Sequence, residues 1–341
     1  MRCWVIGCEV MHRAMWQDVE LSNEAEYVDG IFVSINPIIL KIKKKLIEVA
    51  KKIWLPKFII KYACSCFTLD HLDYRLDENN YIILTDNRVG WYPLRYLDLL
   101  KKRYGVKYVL VYMNPYSVSS EAVYALQERA ELVFSYDKRD CEKHNFEYLP
   151  TVYSSSFLKK YINREKTWDL VYIGGENGRL NRLIGCFEQI DKSGIKYKFS
   201  IIGTDKEKQR YADKICYSTP VEYEKIVEQE SKSNTILEVL SDKQMGTTLR
   251  ALEAVILNKK FLTNNKRIVD LPFYNPKYIQ IFDNPEKIDF EFVKREENIN
   301  YHYKEECSPI RLIEKIHEYD RRVKNENYDH VRCRSNGICK K

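Results

Sequence analysis

At 341 residues the chain exceeds what one hydrophobic core usually organises, so two domains are the natural expectation. Hydrophobic residues make up 45%, enough for globular folding, and the net charge of +7 is too diffuse to indicate a nucleic-acid binder. No run of about 18 apolar residues occurs to span a bilayer. The ten cysteines form no CxxC pair and the six histidines no HxxxH spacing, so reduced thiols and no structural zinc are expected.

The amino-terminal half reads as strands separated by helices. Cys3–Gly7 has the pattern of a first strand rather than of a secretory leader, whose apolar region would be longer. Further strands are expected at Gly30–Ser34, Tyr81–Asp86, Tyr108–Met113 and Leu132–Ser135, with helices at Leu94–Arg103 and Ser120–Ala130. Such alternation implies a parallel sheet covered on both faces. Between the second and third strands, Pro37–Lys61 holds eight lysines against the single Glu48, interleaved with Ile39, Leu46, Trp54 and Phe58. That composition suits a basic amphipathic segment on an anionic leaflet, and equally a domain helix with a solvated lysine face. Asp86 follows its strand where an acid would point into a cleft at the carboxyl edge of a parallel sheet, the position of a catalytic base; Glu9 and His12 are rivals. Asp137 and Asp140 sit just after strand Leu132–Ser135 and read as turn and cap formers or as cleft residues.

A second alternating series begins near Trp168, which places a boundary within about residues 150–167. The expected division is 1–155, 156–325 and a basic tail at 326–341. Strand Asp169–Gly174 runs into Gly174-Gly175-Glu176-Asn177-Gly178-Arg179 and then a helix, Leu180–Ile190, with Leu183, Ile184 and Phe187 on one face. Backbone N–H groups at such a strand–glycine–helix junction can bind a diphosphate, with Arg179 or Arg182 adding charge-assisted bonds. Strand Tyr197–Gly203, a helix near Lys206–Asp213 and a helix Val221–Glu230 follow. Ser308-Pro309 starts a last helix to about Lys324 with Ile310, Ile313, Ile316 and Tyr319 as its stripe, and Arg321–Lys341 reads as a loose basic end.

Residues 234–264 are the most informative. Thr235–Leu240 is an apolar strand, a polar loop carries Gln244 and Gly246, and Thr247 or Thr248 can cap a helix with Leu249, Leu252, Val255 and Ile256 at helical spacing. Strand Lys260–Thr263 follows. This resembles the donor-binding segment of GT-B glycosyltransferases, and more narrowly a group of bacterial glycosyltransferase-like proteins of lipopolysaccharide and capsule clusters. The residues that carry the resemblance are Gly246, Thr248, Arg250 and Glu253, then Asn264 and Phe273-Tyr274-Asn275-Pro276. Upstream, Phe134–Asp140 and Phe146–Pro150 also resemble that group's interdomain segment.

The resemblance implies an α/β chain of GT-B type, two Rossmann-like domains facing a cleft, with the acceptor in the first and a nucleotide-sugar donor in the second. It implies Glu253 on the ribose hydroxyls and Arg250 on the phosphates, beside the amides of the Gly174-Gly175 turn; Gln244, Thr247 and Thr248 read as loop donors to sugar or phosphate, or as a helix cap. No Asp-x-Asp triplet occurs, and Asp70–Asp73 and Asp137–Asp140 have the wrong spacing, which favours metal-independent transfer with cations and helix dipoles balancing the leaving diphosphate. The sequence thus points to a cytoplasmic glycosyltransferase with no cofactor beyond its nucleotide sugar. Its acceptor would be a glycan or lipid-linked, and residues 37–61 would touch the inner face of the membrane. A nucleotide-sugar 2-epimerase and a non-catalytic binding protein on the same scaffold are the alternatives.

Overall fold

The computed structural model describes residues 1–7, 10–29, 76–89, 94–241 and 247–335. The expectations for Gly30–Ser34, for residues 37–61, and for Glu9, Gln244 and Gly246 lie outside the described residues. The chain divides into two compact units, Met1–Val152 with Cys307–Lys341, and Tyr153–Glu306.

In the first unit, strands β1 (Arg2–Gly7), β2 (Ala25–Asp29), β3 (Asn80–Thr85), β4 (Lys107–Tyr112), β5 (Leu132–Ser135) and β6 (Glu147–Tyr148) form one sheet among the described residues, in the order β2-β1-β3-β4-β5-β6. Every neighbouring pair is parallel; Val5 lies beside Tyr27 on one side and beside Ile83 on the other. Each residue of β3 is buried, as in a sheet whose strands are covered on both faces and read as continuous apolar runs. Strand β2 falls just before the stretch where the sequence pattern placed the second strand.

Helices α1 (Val10–Trp16), α2 (Leu94–Tyr104), α3 (Glu121–Gln127) and α4 (Lys138–His144) belong to this unit. Leu97, Leu100, Val123 and Leu126 pack with Trp4, Ile82 and Leu110 in its core. Asp137 caps α4, accepting from the Arg139 amide at 2.9 Å, and Asp140 accepts from the Tyr116 amide at 3.0 Å. Both acids therefore do the structural work of turns and caps.

The second unit repeats the plan. Strands β7 (Trp168–Gly175), β8 (Tyr197–Ile202), β9 (Cys216–Ser218), β10 (Ser233–Glu238), β11 (Lys260–Thr263) and β12 (Ile279–Ile281) are parallel throughout and ordered β12-β11-β10-β7-β8-β9. Helices α5 (Leu180–Lys192), α6 (Tyr223–Ser231) and α7 (Leu249–Ile256) connect them. Leu183, Ile184, Phe187 and Ile190 recur at helical spacing on α5 and pack on Leu170, Tyr172 and Phe199 of the sheet. The helix expected near Lys206–Asp213 is only a 3-10 turn, Lys206–Lys208, because the run's apolar residues are the adjacent Tyr211 and Ala212, which form no helical stripe.

The carboxyl-terminal helix α8 (Pro309–Ser335) differs most from expectation. It runs to Ser335, where a loose basic end was expected, and it packs with the first unit rather than the second. The Ser308 hydroxyl accepts from the Ile310 amide at 3.3 Å at its start, and Leu312, Ile313 and Ile316 are buried. One turn later Asp320, also buried, accepts from Tyr81 at 3.0 Å and pairs with Lys107 at 3.1 Å and Lys324 at 2.8 Å. The two lysines neutralise a carboxylate that burial would otherwise raise, and with the Tyr81 bond they lower Asp320 to about 2.

Candidate functional site

The order of the second sheet decides where a ligand can sit. Chain order runs outward from β7 through β8 and β9, then returns to the other side with β10, β11 and β12. The sheet therefore reverses between β7 and β10. In doubly wound folds of this order, ligands bind outside the carboxyl ends of the strands at that reversal.

The segments that follow these strand ends bring cations to them. Strand β7 ends at Gly174 and Gly175, and the turn behind it uses Gly178 at φ +76°, a left-handed conformation that glycine adopts without cost. The turn delivers Arg179 to the head of α5, whose first turn has no side-chain cap. Its guanidinium straddles the reversal: Nε and Nη2 donate to the Gly175 carbonyl at 3.1 and 3.0 Å, and Nη1 donates to the Val239 carbonyl just past β10 at 2.5 Å. Arg182, one turn along α5, donates to the Leu240 carbonyl at 2.9 Å. Asn264 holds Leu240 from the other side, accepting from its amide at 2.6 Å and donating to its carbonyl at 3.2 Å.

A pocket of about 680 Å³ opens here. Arg179 and Arg182 line it with Gly178, Leu180, Asn181 and Ser241, and the segment after β8 adds Lys208 and Arg210. Arg210 donates to Asn181 at 2.9 Å, and its backbone is held on both sides by the Tyr217 hydroxyl at 3.1 and 2.8 Å. Among the described lining residues four are cations and two, Glu176 and Glu207, are carboxylates, with Lys208 also paired to Asp205 at 2.7 Å, so this lining leans toward an anion. The uncapped head of α5 adds its partial positive charge. Lys208, Arg210 and Asn181 carry no motif; only the position of their loop after β8 would have pointed to them.

Arg250 and Glu253 are not on this pocket among its described lining residues. Helix α7 is buried all round from Ala251 to Ile256, so Glu253 is buried with it, while Arg250 at its head is half-buried. Arg250 donates to Glu230 at 3.2 Å and to the Ile173 carbonyl, with its guanidinium 5.3 Å from the centre of the Tyr172 ring. Glu253, 3% exposed, accepts from the Tyr223 hydroxyl. Thr248 rather than Thr247 caps α7, accepting from the Ala251 amide at 3.3 Å while its hydroxyl donates to buried Glu238. The side-chain environment of Thr247 is half-buried. Gly174 belongs to this interior too, since a Cβ there would lie 3.1 Å from Arg250 Nη2. Of the donor residues expected from sequence, Arg179 and Arg182 line the pocket; Glu253 is buried, and half-buried Arg250 pairs with interior Glu230.

The first unit reverses its sheet between β1 and β3, and Asp86 sits at that carboxyl edge as expected. Its oxygens are fully engaged. One accepts from the Asn87 and Met113 amides at 2.9 and 3.0 Å, the other from the Asn114 amide and side chain at 3.1 and 3.0 Å. A carboxylate has about four lone-pair sites, so Asp86 ties the ends of β3 and β4 together and has none left to receive a proton from an acceptor. Burial raises its pKa, and those four bonds oppose the rise. His12 is buried beside it, 3.0 Å from the Tyr27 hydroxyl and 3.4 Å from Thr85. Gly7 makes that packing possible, because a Cβ there would stand 1.9 Å from the Tyr27 hydroxyl.

Among the described residues, no group of three histidine, cysteine or acidic side chains is placed to hold a metal ion. No helix among them is long and apolar enough to cross a membrane.

No protein-family model matches the chain, and no curated protein matches it. Solved structures do. A sucrose-phosphate synthase from Thermosynechococcus elongatus is similar at 10% identity over 84% of this chain and 87% of that one, with a TM-score of 0.45. The apo form of the lipopolysaccharide outer core galactosyltransferase WaaB is similar at 12% identity over 86% and 88%, with a TM-score of 0.43. A putative UDP-N-acetylglucosamine 2-epimerase from Listeria monocytogenes is similar at 11% identity over 84% and 85%, with a TM-score of 0.47.

Proposed function

We propose that the chain is a glycosyltransferase that takes its sugar from a nucleotide-diphosphate donor bound in the second unit and passes it to a glycan or lipid-linked acceptor. The observation that carries this reading is the cationic pocket at the reversal of the second sheet, where Arg179, Arg182, Lys208 and Arg210 meet the head of α5. A diphosphate fits both its charge and its place in the fold. When the glycosidic bond to the donor breaks, negative charge grows on the departing diphosphate. Fixed guanidinium groups and helix amides stabilise that charge without reorganising, and they do so without a metal. Arg179 and Arg182 suit this role because carbonyls at the strand ends hold their guanidinium groups in place on the pocket lining. Work on surface lipopolysaccharide or capsule at the inner face of the cytoplasmic membrane is part of this reading, with residues 37–61 as the contact.

The saturated carboxylate of Asp86 favours a second reading, a protein that binds nucleotide sugar without transferring it, or a retaining enzyme that needs no base there. A nucleotide-sugar 2-epimerase would be told apart by its product.

Calorimetric titration with uridine and guanosine diphosphates and their sugars tests the proposal. One nucleotide should bind with equal affinity in the presence and absence of EDTA. Arg210 is exposed, so Arg210→Ala should fold normally and bind the diphosphate roughly ten- to a hundredfold more weakly, with little change for the nucleoside. Binding lost in EDTA and restored by manganese or magnesium would overturn metal independence. Unchanged binding in Arg210→Ala would remove the pocket from the site.

A further inference from the structure

Away from the pocket, the second unit buries a connected set of ionisable groups. Glu230, near the end of α6, is fully shielded from solvent. Its Oε1 accepts from Arg250 Nε at 3.2 Å, but its Oε2 has no hydrogen-bond donor. The group within hydrogen-bonding reach of Glu230 is another carboxyl, Glu253 of α7. Glu253 in turn accepts from Tyr223 of α6. Because Tyr223 gives its proton to Glu253, the 2.5 Å contact between the Tyr153 and Tyr223 hydroxyls must be donated by Tyr153.

The remaining charged and titratable neighbours come from every side. Tyr172 of β7 faces Arg250, and Tyr161 lies near Tyr153. Glu238 of β10 is buried as well, but it is satisfied by the hydroxyls of Thr248 and Thr263, the latter at 2.5 Å. Glu238 also lies near a second guanidinium, Arg179, whereas Arg250 is the cation beside Glu230. Two carboxylates facing each other are both acceptors and repel; a proton on either one converts the contact into a hydrogen bond and supplies the donor that Glu230 Oε2 lacks.

We infer that Glu230 and Glu253 share one proton in the folded protein at neutral pH, as a carboxyl–carboxylate pair whose remaining charge Arg250 balances, and that this proton makes the second unit loosen on the alkaline side. The direction agrees with the environment: burial, then the adjacent Glu253 charge, push Glu230 well above the ordinary carboxylate range, against the pull of Arg250. The folded chain holds a proton that the unfolded chain releases near the ordinary glutamate value of about 4.3. The stabilisation is complete below that value and is lost as pH rises through the raised folded value. When the proton leaves to solvent, two like charges remain with one guanidinium between them. The inference does not depend on nucleotide binding, so the full-length chain alone suffices to test it.

Two measurements on the wild type, Glu230→Gln and Glu253→Gln decide it. Infrared difference spectra at neutral pH should show a protonated-carboxyl carbonyl band in the wild type that either variant loses, because a glutamine amide donates the bond without a titrating proton. Urea midpoints between about pH 5 and pH 9 should fall with rising pH in the wild type and flatten in Glu230→Gln. A band retained in Glu230→Gln, or a pH slope there equal to that of the wild type, overturns the shared proton. If Glu253→Gln does not fold, the wild-type band must still vanish as pH is raised; a band that persists, or is never present, overturns it equally.

Discussion

The two units close the same kind of parallel sheet in opposite ways. At the reversal of the first sheet, Asp86 receives four donors and His12 is packed against Tyr27, so the strand ends are chemically finished. At the reversal of the second, Arg179 and Arg182 donate to carbonyls and still line an open pocket with Lys208 and Arg210. The lesson concerns partners rather than topology. A carboxylate surrounded by amide donors has spent its hydrogen-bonding capacity, whereas a guanidinium has five N–H donors and can be held by carbonyls while it also lines a pocket. The interiors contrast as well: the first unit buries a carboxylate, Asp320, that two lysines neutralise, and the second buries Glu230 and Glu253 beside Arg250.

The largest effect should come from the second interior. Arg250→Ala removes the counter-charge of fully buried Glu230 and should cost about 3–5 kcal/mol in urea denaturation, the range for breaking a buried pair. A loss below about 1 kcal/mol would mean that Arg250 is not the balancing charge. Next comes Asp86→Ala, which leaves the Met113 and Asn114 amides without their acceptor and should cost about 2–3 kcal/mol. A variant that keeps full stability but loses sugar transfer would return Asp86 to the catalytic role and erase the contrast between the two strand edges.

The pH response sharpens the comparison of interiors. Burial raises Asp320, but Lys324, Lys107 and Tyr81 outweigh it and hold the carboxyl at about 2. A depressed group stabilises fully above its unfolded value of about 3.9 and loses that contribution as pH falls through its folded value. The first unit should therefore lose about 2 kcal/mol on the acid side, between about pH 4 and pH 2. Stability curves in acid should flatten in Asp320→Asn, while the alkaline loss assigned to Glu230 should not change. The smallest effects separate two glycines. In Gly7→Ala the methyl meets the Tyr27 hydroxyl in a packed interior and should cost about 1–3 kcal/mol. Gly178→Ala meets open space and carries only the left-handed backbone cost of about 1 kcal/mol. Thermal midpoints of the two variants should fall in that order.

Much of this fold was legible because parallel strands covered on both faces must be apolar throughout. Cys3–Gly7, Leu132–Ser135 and Lys260–Thr263 stand out on composition alone, and so does α5 from the spacing of Leu183, Ile184 and Phe187. The strand–glycine–helix turn at Gly174–Arg179 was equally plain, because few residues other than glycine adopt the backbone it needs. Other features depended on contacts that sequence does not display. The sign of a side chain's role follows from its partners: Asp86 is an acid at a sheet edge in both readings, and only the amides of Met113 and Asn114 show it to be occupied. Arg250 and Glu253 read in sequence as ligand contacts at a helix head, yet α7 is buried from Ala251 onward, so they joined a network with Glu230 and Tyr223 instead. The same holds for α8, whose stripe is obvious but whose unit is chosen by Tyr81 and Lys107 bonding Asp320 from more than two hundred residues away. Local sequence sets which surfaces must be buried and which turns the backbone can take. Which charges meet is decided only when distant elements pack, because neutralisation and hydrogen-bond saturation are properties of neighbours in space.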